Sequence, residues 1–184
     1  MPEFSPIVAE RLLLRPLAVE EAPLLVAYRR DPTVARFQGW GVVDPGEIER
    51  DLASMQARTP CDIPGPWFQL AIVERATGAI AGDVGVRVLG EAHDTAEIGY
   101  TVAPVYQGQG YATEAVCATC AWLLGPRRLD RVIAVVDGRN APSIAVAENA
   151  GFHRVSCIET RHGGLASSLL TYERRASPSE LNRV

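Results

Sequence analysis

The chain of 184 residues contains no lysine; all 18 of its basic side chains are arginine. That absence removes two chemistries at once. A Schiff-base amine has no residue to carry it, and a Walker-type phosphate loop lacks the lysine that reaches the phosphates. Excess positive charge is missing too: the formal net charge of -4 leaves no basic footprint for nucleic acid or for an anionic membrane surface. No run approaches the roughly 20 apolar residues of a membrane-spanning helix. The opening "MPEFSPIVAERLLLRP" lacks the charged and apolar regions of a secretion signal. The expectation is a cytoplasmic protein whose four cysteines, Cys61, Cys117, Cys120 and Cys157, need not pair. Histidine is scarce, and His93, His153 and His162 show no ligand spacing, so no metal is expected. Arginine in place of lysine, with much alanine and glycine, is the composition of a GC-rich bacterial genome.

What is present is a regular alternation of elements. "RLLLRPL" (Arg11 to Leu17) predicts a strand ending near Pro16, and "VEEAPLLVAYRR" a helix with Glu20 and Glu21 at its start. "DPGEIERDLASMQA" predicts a second helix, with Asp44 as cap, Pro45 in the first turn, and Ile48, Leu52 and Met55 on one stripe. Trp67 to Glu74, the stretch from Ala79 to Leu89, and Thr95 to Pro104 read as three strands with short links, hence an antiparallel meander. A helix from about Gly110 to Leu124 and a β-branched strand, Arg131 to Asp137, follow. That strand–helix–strand order implies a right-handed crossover and parallel pairing. A helix capped by Asn140 and ended by Gly151 precedes two closing strands, "HRVSCIE" and "SSLLTYERR". The polar tail, 176–184, is expected to fray. No repeat or linker divides the chain, so one domain is expected over 1–184, with its core at about 10–175. The fold class is α/β of the α+β type: a mixed, mostly antiparallel sheet with helices on both faces.

The join between the meander and the central helix carries the chemistry. In "VYQGQGYATEA" (Val105 to Ala115), Gly108 and Gly110 bare the backbone just where a helix begins. Such a turn lets a ligand approach the chain, and it leaves the first amides of the helix pointing at an anion. A pyrophosphate suits it. A plain glycine turn into a core helix has the same local sequence. A dinucleotide-binding turn would need a third glycine where Thr113 stands, and a preceding strand from a parallel unit.

"EIGYTVAPVYQGQGYATEA", followed by "NAPSIAVAENAGF", resembles the GNAT N-acetyltransferase superfamily. The superfamily pattern Gln/Arg-x-x-Gly-x-Gly/Ala is met by Gln107, Gly110 and Ala112. With "AERLLLRPL" near the start, the chain is more closely similar to the Rim-type branch, which acetylates protein N-termini. The resemblance implies a site for acetyl-CoA. The amides of Gln107, Gly108, Gln109, Gly110, Tyr111, Ala112 and Thr113 would hold the pyrophosphate. A splay between the strand before the loop and the next parallel strand would admit the pantetheine arm. That arm would pair with backbone at Tyr100, Thr101 and Val102, and Asn140 would meet it from the far side. Ser143 would place a hydroxyl beside the sulfur of CoA and donate to the departing thiolate. Many family members use a tyrosine in this helix; here Ala145 to Ala147 offers none.

Glu97, on the strand forming the cleft wall, is the candidate general base, through a water; a solvated strand carboxylate is the plain alternative. Phe37, Trp40 and Trp67, and the region around His162, Gly163 and Gly164, are candidates to border the acceptor. The pair Cys117 and Cys120 lies inside an apolar helix, which suits packing better than redox chemistry. The expected function is transfer of acetyl from acetyl-CoA to a primary amine in a ternary complex. The acceptor is a protein N-terminus, an amino-acid-like metabolite or an amine antibiotic. A catalytically idle acyl-CoA-binding regulatory domain is the alternative. A homodimer is expected from the resemblance alone.

Overall fold

The computed structural model describes residues 4–38, 43–57, 65–90, 94–162 and 165–176. Its centre is an eight-stranded sheet in the order β1-β2-β3-β4-β5-β6-β8-β7. The strands are β1 (Ile7–Val8), β2 (Leu12–Pro16), β3 (Phe68–Glu74), β4 (Ile80–Leu89), β5 (Thr95–Val102), β6 (Arg131–Asp137), β7 (His153–His162) and β8 (Leu165–Arg175). The helices are α1 (Ala22–Arg29), α2 (Pro32–Ala35), α3 (Pro45–Gln56), α4 (Tyr111–Leu124) and α5 (Ala141–Asn149). β1 and the short α2 are additions to the expected elements. The meander β3-β4-β5 is antiparallel throughout, and β5 and β6 form the one parallel pair among the described residues.

Side-chain alternation assigns the helices to faces. Tyr100 of β5 reaches α5, its hydroxyl donating to the Ser143 carbonyl at 2.7 Å. Its cross-strand partner Val84 and the neighbours Ile98 and Val86 are buried on that same side, beneath α4. Asp83 and Thr101, one residue out of phase, face the other way, toward α1. There Asp83 accepts from the Tyr28 hydroxyl at 2.5 Å and the Arg29 guanidinium at 2.8 Å. All three are buried. Burial and the Asp83 carboxylate hold the Tyr28 phenol far above its ordinary range. This charged trio ties α1 to the middle of the sheet.

The caps follow the expected chemistry. Asp44 accepts from the Gly46 amide at 2.8 Å and opens α3, whose Leu52 and Met55 are buried. Gly151, at φ +83°, lets the chain leave α5 in the left-handed region, where a side chain is strained.

Candidate functional site

Pairing between β5 and β6 runs from Thr95–Arg131 to Ile98–Ala134 and stops. Beyond it β5 continues to Val102, held by β4, and β6 continues to Asp137, held by β8. The two strands therefore part while each keeps its other neighbour. The edges of Gly99–Val102 and Val135–Asp137 face a gap, where backbone groups await a partner. A cleft of about 480 Å³ opens there, lined by Tyr100, Thr101, Val102, Gln107, Gly108, Gly110, Tyr111, Ala112, Thr113, Asn140 and Ser143. Thr33, Val34, Phe37 and Gln38, from α2 and the turn after it, form a further wall.

The glycine turn forms the head of the cleft. Gly108 and Gly110 have φ of +74° and +79°, and Gly110 is the N-cap of α4. The first bond of the helix is Glu114 N–H to the Gly110 carbonyl. The N–H groups from Gly108 to Thr113 carry no hydrogen bond among the described residues. Six consecutive donors thus stand at the positive end of a 14-residue helix.

The turn is braced from the far end of the sequence. The Arg11 backbone amide and Nε both donate to Glu114, each at 2.7 Å, and Nη1 donates to the Gln109 carbonyl at 3.0 Å. The Arg11 guanidinium also lies 4.8 Å from the centre of the Tyr111 ring. The Tyr111 side chain is buried, its hydroxyl donating to Glu74 and its ring stacked on Tyr106. Gln107 uses its side chain as well: Nε2 donates to the Val102 carbonyl at 2.9 Å, tying the turn to the end of β5. Neither the Arg11 brace nor the α2 wall carried a sequence signal. Arg11 and Glu114 are 103 residues apart, and α2 has only four residues.

On the opposite side, Asn140 caps α5 with Oδ1, which accepts from the Ser143 amide at 3.3 Å. Its Nδ2 has no partner among the described residues, and neither does the Ser143 hydroxyl. Next to them Asp137 accepts from Arg139 at 2.8 Å and from the Ser167 hydroxyl at 2.7 Å. The Arg139 guanidinium holds this carboxyl well below the usual range. Arg139 also lies 5.9 Å from the centre of the Phe37 ring, and Arg36 lies 5.0 Å from it.

Glu97 lies on the α1 face, one residue before the strands part. Arg87, opposite it on β4, donates twice to Oε2, at 2.9 and 2.5 Å, which leaves Oε1 without a partner among the described residues. The Arg87 guanidinium stacks 4.7 Å from the Trp67 ring centre. Trp67 lies over Gly85 and Gly99, a cross-strand glycine pair; a Cβ on Gly85 would meet the indole at 3.1 Å. Phe37 lines the cleft, whereas Trp67 lies on the neighbouring sheet face and touches Gly99 at the cleft mouth. Trp40, Gly163 and Gly164 lie outside the described residues. Cys120 is buried within α4 and Cys117 half-buried, as packing residues are.

A mostly antiparallel sheet with one parting parallel pair and a glycine turn at the head of the gap defines an acyltransferase architecture. Residues 11–153 match the family model described as Acetyltransferase (GNAT) domain. The chain belongs to the GNAT acetyltransferases and is an acetyltransferase. It is 27% identical over 148 residues, covering 80% of this chain and 82% of the relative, to the uncharacterized N-acetyltransferase p20 of Bacillus licheniformis. A GNAT-family acetyltransferase from Bacillus anthracis shares the fold with a TM-score of 0.80 at 23% identity, covering 93% of this chain and 98% of that one. RimL, a ribosomal L7/L12 alpha-N-protein acetyltransferase in complex with coenzyme A, superposes with a TM-score of 0.79 at 19% identity, over 93% of this chain and 98% of that one.

Proposed function

We propose that this protein transfers the acetyl group of acetyl-CoA directly to a primary amine, and that the amine is the N-terminus of a peptide. The parting of β5 and β6 beneath six unbonded amides is the observation that carries this reading. Acetyl-CoA fits the donor set: its pyrophosphate needs converging N–H groups, and its pantetheine amides need strand edges. The amides from Gly108 to Thr113 would hold the pyrophosphate. The edge at Tyr100 to Val102 would take the arm, and Asn140 Nδ2 would bond to it. The choice of a peptide acceptor rests on the Rim-type structural likeness alone.

The chemistry then asks for a base, a placed carbonyl and a stabilised leaving thiolate. Glu97 Oε1, through one water, takes a proton from the incoming ammonium. The neutral amine attacks the thioester carbonyl, the C–S bond breaks, and the extra proton left on the attacking nitrogen passes to the departing thiolate, to which the Ser143 hydroxyl donates a hydrogen bond at the α5 N-terminus. Much of the rate comes from holding amine and thioester together.

The test has two stages. Thermal melts with acetyl-CoA, CoA and NADH at equal concentration come first. A ligand at 100 times its Kd adds about 2.7 kcal/mol, several degrees in a chain of this size. Acetyl-CoA and CoA should shift the melt and NADH should not. Thiol release is then followed with peptides bearing free or blocked N-termini and with small amines. Free-N-terminus peptides should be the better acceptors. Small amines turning over faster would overturn the acceptor assignment, and binding without thiol release from any amine would leave an acyl-CoA-binding domain. Glu97→Gln should lower kcat/KM by about 10²-fold or more; undiminished turnover removes Glu97 from the mechanism.

A further inference from the structure

On the α1 face of the sheet, a chain of contacts stands behind Glu97. Gly85 of β4 opposes Gly99 of β5, and two residues along the same ladder Arg87 opposes Glu97. Alternation puts all four on one face. Glycine inside a strand weakens it and marks a close approach. Here the approach is made by Trp67. Cε3 of its indole lies 3.1 Å from where a Cβ on Gly85 would stand, and Cη2 lies 3.9 Å from the Cβ position of Gly99. The Arg87 guanidinium lies 4.7 Å from the Trp67 ring centre, and its Nε and Nη2 both donate to Oε2 of Glu97. The Arg87 side chain is 36% exposed, against 13% for Glu97. An ion pair made by so open an arginine is ordinarily loose, because a long side chain must give up its rotamers to hold it. Stacking on an aromatic face removes that freedom. The indole is seated in turn because neither glycine has a side chain to lift it.

We infer that Arg87 and Trp67 are positioning residues for Glu97, fixing which carboxylate oxygen meets the water that relays the proton. Two N–H groups hold the same oxygen, so Oε2 is committed and Oε1 is the one left for that water. The inference rests on the reading of Glu97 as general base. Trp67 thereby backs the base rather than bordering the acceptor. A cross-strand ion pair that served the sheet alone would matter to stability and not to kcat.

The experiment measures kcat, the acceptor KM and the Kd for acetyl-CoA in single and double variants of the full chain, with Tm recorded for each. Arg87→Gln should lower kcat at least about tenfold and leave KM and Kd within about twofold, since misplacing a catalytic group by about 1 Å costs up to about 10²-fold. Arg87→Lys keeps the charge and loses the planar fork. It should keep the wild-type Tm and still lose kcat, which separates the effect from misfolding. Trp67→Ala should also lower kcat, whereas a residue bordering the acceptor would raise KM. Neither side chain should matter once the base is gone: in a Glu97→Gln background, Arg87→Gln and Trp67→Ala should change kcat by less than about twofold. Wild-type kcat in Arg87→Gln or Arg87→Lys, a Trp67→Ala enzyme altered only in KM, or equal losses with and without Glu97 would each overturn the assignment and leave Glu97 as the base. Undiminished turnover in Glu97→Gln alone would overturn the base, and this inference with it.

Discussion

Replacing Gly110 tests whether the backbone conformation of the turn, rather than any side chain, makes the anion site. Gly110 sits at φ +79°, and a Cβ placed there would lie 3.4 Å from Arg11 Nη2, an ordinary contact. Space therefore does not forbid a side chain; conformation does. An L-residue in this region costs about 1–2 kcal/mol, and more when β-branched. In Gly110→Ala that cost appears in one of two places. If the turn keeps its shape, stability falls by the whole amount, about 2–8 °C in Tm for a chain of this length. If the turn relaxes, the amides of Gly110 and Tyr111 rotate away and acetyl-CoA must pull them back. The Kd then rises by about 5–30-fold, the same energy read as affinity. Gly110→Val cannot hold the left-handed conformation, so its loss should fall on affinity and exceed about tenfold. Gly78 is the control. Its φ is +75° with open space around it, but it lies in the β3–β4 turn, away from the cleft. Gly78→Ala should lose a similar Tm and bind acetyl-CoA as the wild type does. Calorimetric titration and thermal denaturation measure both quantities. A Gly110→Val protein with wild-type affinity for acetyl-CoA would mean that the amides of this turn are not what the cofactor meets.

Asp83→Ala removes the buried carboxylate facing Tyr28 and Arg29, and should destabilise the fold by about 3–5 kcal/mol in chemical denaturation. Asp137→Asn should cost about 1–3 kcal/mol at neutral pH through lost charge-assisted bonds to Arg139 and Ser167. The folded Asp137 carboxyl titrates below the unfolded one, near 3.9, so its contribution is full above about pH 5 and is lost as pH falls through the folded value. Wild type and Asp137→Asn should therefore converge in acid; a gap constant with pH would contradict the role given to this carboxylate. Ser143→Ala should lower kcat with little change in the Kd for acetyl-CoA, and undiminished turnover would remove its hydroxyl from the mechanism.

Apart from β1 and α2, the strands and helices could be read from the chain, as could the glycine turn and the Asn140 cap. Periodicity, caps and glycines act over a few residues, and those interactions are written in order along the sequence. Gly108, Gly110 and Asn140 could be picked out because φ above zero and a capping oxygen are local demands. The parallel pairing of β5 with β6 was also legible, since a strand, a helix and a strand admit essentially one hand of crossover. Tertiary structure decided what lies far apart in the chain. Only the fold sets Arg11 against Glu114 and Gln109, brings α2 over the cleft, and shows that Glu97 is met by Arg87 across the ladder. It also decided that β5 and β6 part after Ile98 and Ala134. Each strand there is held by its other neighbour, β4 or β8, and no residue in the splayed segment announces that competition.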